Sequence, residues 1–231
     1  MMGMMGMTMN KTKWIQIALA ALLLIMSSAL AAQAQNVRSW VSGLGTDGNA
    51  PGCTQSSPCR TFNTAIANTS PGGQVVALDT AGYSGITNIN KAITIEGAPG
   101  AHAFILVGAG TTGITVNGGS TDVIILRNIF VAPAPGAMST TGLQHNGGKL
   151  KVQNCVFEGL TFGVSVTGSM GSPARMDLIN CDLYGNGTAV LSNGQGANFS
   201  GNPTVVSQSM VVWPLELKRP TEVAVVIEPP V

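Results

Sequence analysis

Val123-Ile-Ile-Leu-Arg-Asn128-Ile-Phe-Val131, Lys149-Leu-Lys-Val-Gln-Asn154-Cys-Val-Phe157 and Arg175-Met-Asp-Leu-Ile-Asn180-Cys-Asp-Leu183 are one phrase written three times, with its asparagines 26 residues apart on both occasions. A fixed period of this size marks a solenoid, in which each repeat buries its apolar face only by stacking on its neighbours. Ahead of each asparagine, apolar residues (Ile124 and Leu126, Leu150 and Val152, Met176 and Leu178) alternate with a mostly polar set that includes Lys151 and Asp177. That is the strand period of two. Behind the asparagine the phase flips by one residue, so Ile129 and Val131, Cys155 and Phe157, and Cys181 and Leu183 point inward. A phase flip needs a tight corner, and Asn tolerates the left-handed backbone conformation that such a corner uses. Asn128, Asn154 and Asn180 are therefore expected at stacked corners, where their side chains can hydrogen-bond up the stack as a structural ladder.

A second phrase recurs between the copies. It reads Gly113-Ile-Thr-Val-Asn-Gly-Gly119, Gly142-Leu-Gln-His-Asn-Gly-Gly148, Gly163-Val-Ser-Val-Thr-Gly-Ser169 and, more loosely, Thr188-Ala-Val-Leu-Ser-Asn-Gly194. Each is a short strand ending in small turn residues. Several short strands per repeat, with no helical pattern between them, specify an all-β chain coiled as a right-handed parallel β-helix of about five coils. A β-sandwich also has short strands separated by turns. The repeated 26-residue spacing and the in-register asparagines favour the coil.

The 231 residues are 9% charged and 45% hydrophobic, which suits one domain with a sizeable core rather than a disordered chain. Residues 1–34 read as a secretory signal peptide. Lys11 and Lys13 form its positive region, Trp14 to Leu30 its apolar run, and Ala32-Gln33-Ala34 a small-x-small cleavage site. The run is short for a membrane span, Ser27 and Ser28 interrupt it, and no second span follows. Removing the leader takes the net charge from +1 to −1, because it carries two lysines and no acid. A near-neutral chain argues against nucleic acid or an anionic membrane surface as partner. The expected compartment is secreted or periplasmic.

Residues 35–74 are expected to hold an N-terminal strand, a loop and a capping helix. Asn36 to Ser42 alternates as a strand. Ser57-Pro58 has the form of a helix start, and Phe62, Ala65, Ile66 and Thr69 recur at helical spacing before Pro71-Gly72-Gly73. A helix there would cover the open end of the solenoid. The coil itself is expected over 75–207, and 208–231 as a C-terminal cap or tail, with Thr221–Glu228 as a closing strand. Trp40-Val-Ser-Gly-Leu-Gly-Thr-Asp47-Gly-Asn49, Pro58-Cys-Arg-Thr61-Phe62, Ala65-Ile66, Gly73-Gln-Val-Val76 and Gly82-Tyr83 resemble the leading segment of pectin-lyase-like β-helix proteins. More narrowly, the chain is similar to exported bacterial β-helix proteins with this cysteine-bearing start, from roughly Ser39 to Asn202. The resemblance implies the fold and its cap. It leaves the activity open, since members range from polysaccharide lyases and hydrolases to adhesins.

The chemistry-bearing residues are few. Cys53 and Cys59 share one loop and read as a disulfide in an oxidising compartment; metal binding is the rival, and no His or further Cys lies near. Cys155 and Cys181 occupy the same inward slot on successive coils and read as buried thiols. In register, Lys151 stacks on Asp177, Lys149 on Arg175, and Glu158 near Tyr184. Lys151, Asp177, Arg175 and Glu158 are the candidate catalytic residues, with Arg127 and Lys149 completing a basic patch that a lyase would use on a carboxylated substrate. A hydrolase needs two carboxylates about 5–9.5 Å apart, and no two of Glu158, Asp177 and Asp182 are expected to share a face. His102 is placed on a loop and His145 at a strand edge, neither with metal-ligand spacing, so no metal or cofactor is expected. Trp40, Trp213, Tyr83 and Tyr184 are the aromatics weighed as a sugar platform, and two of them fall in caps. The low charge and the missing carboxylate cluster point to a non-enzymatic structural module, or one that binds a polysaccharide or cell-surface component. A polysaccharide lyase or hydrolase is the alternative.

Overall fold

The structure, a computed structural model, describes residues 35–138, 140–167, 174–192, 198–207, 211–212 and 225–226. The leader expected at 1–34 and most of the expected tail lie outside the described residues. The chain opens with β1 (Asn36–Val41) and one short helix, α1 (Phe62–Ala67). The first coil is β2 (Thr69–Ala77), β3 (Ala81–Tyr83) and β4 (Ile86–Ile89); the second is β5 (Ile93–Gly97), β6 (Ala103–Val107) and β7 (Thr112–Asn117). The third is β8 (Val123–Arg127), β9 (Ile129–Pro133) and the start of β10 (Thr141–Gln153). The rest of β10, with β11 (Val156–Glu158) and β12 (Phe162–Val166), makes the fourth. β13 (Ala174–Asn186) turns across two faces and joins β14 (Thr188–Ser192) as the fifth. β15 (Asn198–Ser207), β16 (Val211–Val212) and β17 (Val225–Val226) pair onto the end of the stack, the last lying within the expected closing strand.

Each strand pairs in parallel with its counterpart one coil away. The fold is a parallel β-helix. Its first face is built from β1, β2, β5, β8, the end of β10, the start of β13 and the start of β15. Its second face holds β3, β6, β9, β11, the ends of β13 and β15, and β17, and its third β4, β7, the start of β10, β12, β14 and β16. Columns of apolar side chains fill the interior. Val75, Ile95, Leu126, Val152 and Leu178 stack in register and are all fully buried. Each such side chain is worth about 1.5–3 kcal/mol of burial, so the column is a long shared core rather than a set of separate ones.

In coils three to five the corner between the first and second faces turns on one residue. Asn128, Asn154 and Asn180 occupy it with φ of 53°, 52° and 51°. This single left-handed residue flips the phase of the strand and lets both flanking segments turn apolar side chains inward. Asn154 and Asn180 are exposed and Asn128 half-buried; the Asn128 amide donates to the Gly97 carbonyl at 3.3 Å. Among the described residues no side-chain hydrogen bond joins Asn128 to Asn154, so the constraint at these two corners lies in the backbone. A hydrogen-bonded asparagine ladder does exist, but on the third face. Asn146 donates to Asn117 at 2.7 Å, Asn117 donates to Asn88 at 2.8 Å, and the Thr167 hydroxyl donates to Asn146.

The N-terminal end is closed by the Cys53–Cys59 disulfide loop and α1. The helix starts at Phe62, with Thr61 rather than Ser57 as N-cap. Cys59 is held extended beside β1, donating to Trp40 O and accepting from Ser42 N, so the chain turns helical only after it. Asp47 fixes the start by accepting from Arg60 N, Thr61 N and the Thr61 hydroxyl at 2.9 Å each. Burial alone would raise its carboxyl, but these hydrogen bonds outweigh burial and hold it below the usual carboxylate range. β2 begins at Thr69 and runs through Pro71-Gly72-Gly73, ahead of the boundary expected at 74. Gly73 permits this, since a Cβ there would lie 2.6 Å from the Val37 carbonyl. Cys155 and Cys181 are reduced and buried on adjacent rungs.

His145 is the one departure from an apolar interior that the sequence misplaced. It is fully buried rather than at an edge, in register between Val116 and Val166. Its Nε2 lies 3.2 Å from the Arg175 carbonyl, and its Nδ1 has no hydrogen-bond partner. Burial lowers its pKa to about 4, against smaller upward pulls from the backbone of Arg175 and Gly148.

Two expectations follow for stability. Asn154→Gly should be nearly neutral, Asn154→Ala should cost about 1 kcal/mol, and Asn154→Val more, because only the backbone conformation is at stake. Chemical melts in which Gly costs as much as Val would contradict this. For His145, the folded pKa of about 4 lies below the ordinary 6.5. Between those values only the unfolded chain binds the proton, so stability is full above pH 6.5 and is lost as pH falls toward 4, by about 3 kcal/mol in all. Denaturation at stepped pH should show that slope, and His145→Val should flatten it.

Candidate functional site

The outward rows of the first face carry most of the described cations. Alternation puts Ile93, Ile95, Ile124, Leu126, Leu150, Val152, Met176 and Leu178 inside, which leaves the residues between them outside. Arg38, Arg127, Lys149, Lys151 and Arg175 lie on this face; of the other described cations, Arg60 sits in the cap and Lys91 bonds the Thr69 carbonyl at 2.6 Å. Only Glu96 and Asp177 oppose them there. Rungs are about 4.8 Å apart and alternate residues about 7 Å apart along a strand, so the four cations of coils three to five fall within a patch of roughly 10 by 13 Å.

The pairing within the patch is uneven. Arg127 Nε donates to Gln153 Oε1 at 2.6 Å and its Nη1 lies 3.7 Å from Glu96, which in turn accepts from Gln74. Arg175 lies 3.8 Å from Asp177, with side-chain exposures of 63% and 18%. Lys149 and Lys151 are exposed and, among the described residues, make no ion pair. Lys149 is in register with Arg175, two like charges on adjacent rungs, and Lys151 with Asp177. The structure therefore brings together three of the four candidate residues, Lys151, Asp177 and Arg175. Glu158 stands apart, around the corner on the second face.

That second face is unlike the first. Its outward row after the corner reads Gly82, Phe104, Phe130, Val156 and Asp182, and the next row Leu106 and Ala132, then Glu158 and Tyr184. The Phe104 and Phe130 rings stack with centroids 4.8 Å apart, and His102 lies 6.4 Å from Phe104. Two sequence expectations are corrected here. Glu158 and Asp182 do share a face, because both fall in the outward phase after the corner. The aromatic row is made of phenylalanines, at positions 104 and 130, which have the same 26-residue spacing as the asparagines and could have been found by continuing the outward register past them. The Glu158 hydrogen bond, burial, and then the charges of Glu158 and Asp182 raise the pKa of Tyr184.

The Cys155 thiol donates to the Gln153 carbonyl at 3.3 Å and Cys181 to that of Val152 at 3.4 Å, and burial pushes the Cys155 thiol up. Both are core groups sealed from solvent. Among the described residues, no group of three or more His, Cys, Asp or Glu is arranged to hold a metal ion, and no helix is long and apolar enough to cross a membrane. No family model, no curated protein and no solved structure matches the chain, so the first face is interpreted on its own geometry.

Proposed function

We propose that the protein is an exported, non-enzymatic β-helix module that binds an acidic polysaccharide or another anionic cell-surface polymer along its first face. The observation that carries this reading is the segregation of charge: five of the seven described cations lie on one sheet face against two acids, in a chain whose overall charge is close to zero. Lys149 and Lys151, exposed and unpaired, offer the contacts, and the straight rungs suit an extended polymer lying along the coil axis. The disulfide and the leader reading support a secreted or periplasmic site. The likeness to pectin-lyase-like proteins fits the same class of ligand and keeps cleavage as the second reading, for which Lys151 beside Asp177 and Arg175 is the favourable feature.

Binding and cleavage are separated by one set of measurements on immobilised acidic and neutral polysaccharides. The exported chain should be retained by the acidic polymer, released by salt, and produce no new chain ends. Lys149→Ala and Lys151→Ala should each weaken retention roughly two- to fivefold without moving the melting temperature, the scale of an exposed ion pair. Equal retention on neutral polymer would end the reading. Depolymerisation that Lys151→Ala abolishes would replace it with the lyase.

A further inference from the structure

The second face is ordered along the coil axis in a way that the binding reading does not use. At the N-terminal end stands Arg60. Its guanidinium donates to the Gly82 carbonyl at 3.2 Å and lies 5.7 Å over the Tyr83 ring, on top of β3. The middle is apolar. Leu106, 42% exposed, leans over Gly82, where a Cβ would be 2.9 Å from its Cδ1. Phe104, Phe130, Ala132 and Val156 continue the strip, each half-buried in its own sheet. On the C-terminal side of this strip, before β15 pairs on through Thr204–Val206, stand Glu158 and the exposed Asp182, neither in an ion pair among the described residues, with Tyr184 beside them. The strip is apolar and aromatic, flanked by a cation on one side and by anions on the other.

This pattern is its own complement under a twofold axis. The midpoint of the strip falls between Phe104 and Phe130. Arg60 lies about two rungs to one side; Glu158 and Asp182 lie about one and a half and two and a half rungs to the other, roughly 7 and 12 Å at about 4.8 Å per rung. Turning a second copy antiparallel about that midpoint lays Phe104 of one copy on Phe130 of the other. It also sets each Arg60 between the partner's two carboxylates. An isologous contact needs this kind of self-complementarity, in which residue i meets j and j meets i.

We infer that the second face is the contact between two copies of this chain, packed antiparallel through the phenylalanine strip with Arg60 of each copy facing Glu158 and Asp182 of the other. The footprint is small. The five rungs from β3 to β13, by a five-residue strand, cover roughly 20 by 17 Å, well under the about 800 Å² per partner of a standard interface. The dimer is therefore weak and reversible, with a dissociation constant on the order of 10–100 µM. It leaves both first faces uncovered, so it does not depend on the polymer reading.

Sedimentation velocity of the exported chain over about 1–500 µM tests this directly. The expected result is a monomer–dimer equilibrium that Phe130→Ser weakens at least tenfold, its outward side chain sparing the melt. Arg60→Glu alone, and Glu158→Arg with Asp182→Arg, should each weaken it comparably. All three substitutions together restore opposite charges across the axis and should recover the dimer. A monomer at every concentration overturns the inference. So does a dimer indifferent to Phe130→Ser, which would use another face, or a folded triple variant that stays monomeric, which would remove the antiparallel register.

Discussion

The structure depends on a single left-handed residue in each of the coils three to five. A β-strand that continued straight through position 128, 154 or 180 would expose every second apolar residue beyond it. One residue at φ near +50° shifts the alternation by one, and two sheets then face one interior. The cost of that conformation is small for Asn and recurs at the three corners, while the gain is a column of fully buried side chains on either side. In-register pairing follows, because a rung displaced by one residue would turn its own apolar set outward. Position on the surface is fixed as a consequence: a residue's distance from the corner decides which face and which row it joins.

The three outer faces consequently carry three separate compositions. The first is cationic, the second apolar between opposite charges, and the third polar, with amides hydrogen-bonded from rung to rung. A solenoid can hold such contrasts within about 20 Å because its core is not shared out among them; each face draws only on every second residue of its own strands. The reduced thiols and the neutral histidine show the reverse side of this division. They sit in the inward phase, sealed from solvent, and each reaches a backbone carbonyl.

Much of this was legible from residues alone. The period, the parallel coil, the left-handed asparagines and the stacking of Lys151 on Asp177 all follow from counting by two on either side of Asn128, Asn154 and Asn180, and the disulfide from two cysteines in one loop. The misreadings share one cause, which is that local pattern does not report what the rest of the chain presses against it. Ser57-Pro58 has the form of a helix start, but Cys59 is tied to β1 through Val41 and Trp40, and the helix waits for Thr61 and its Asp47 contacts. A hydrogen-bonded ladder that the pattern did not single out runs through Asn88, Asn117 and Asn146 on the third face. His145 reads as an edge residue until both neighbouring coils place a valine against it. Phe104 and Phe130 escaped because phenylalanine normally signals core, and only the corner's phase flip turns them out.

The connections around each coil are unequal. The turn from first to second face is one residue wherever the asparagine stands, while the segment from second to third face runs from the single residue 187 to the seven residues 134–140. The connection from third to first face varies too, from none where β10 runs on unbroken to the five residues 118–122, so coil length is set at these two rims. Added or deleted residues there leave the registers of the strands intact, since connecting segments at a surface tolerate such changes far better than the elements they join. Variation in this architecture would accumulate as a fringe along these two edges, so that descendants of this chain could differ widely in the reach of the fringe while their strands remain superposable, rung for rung.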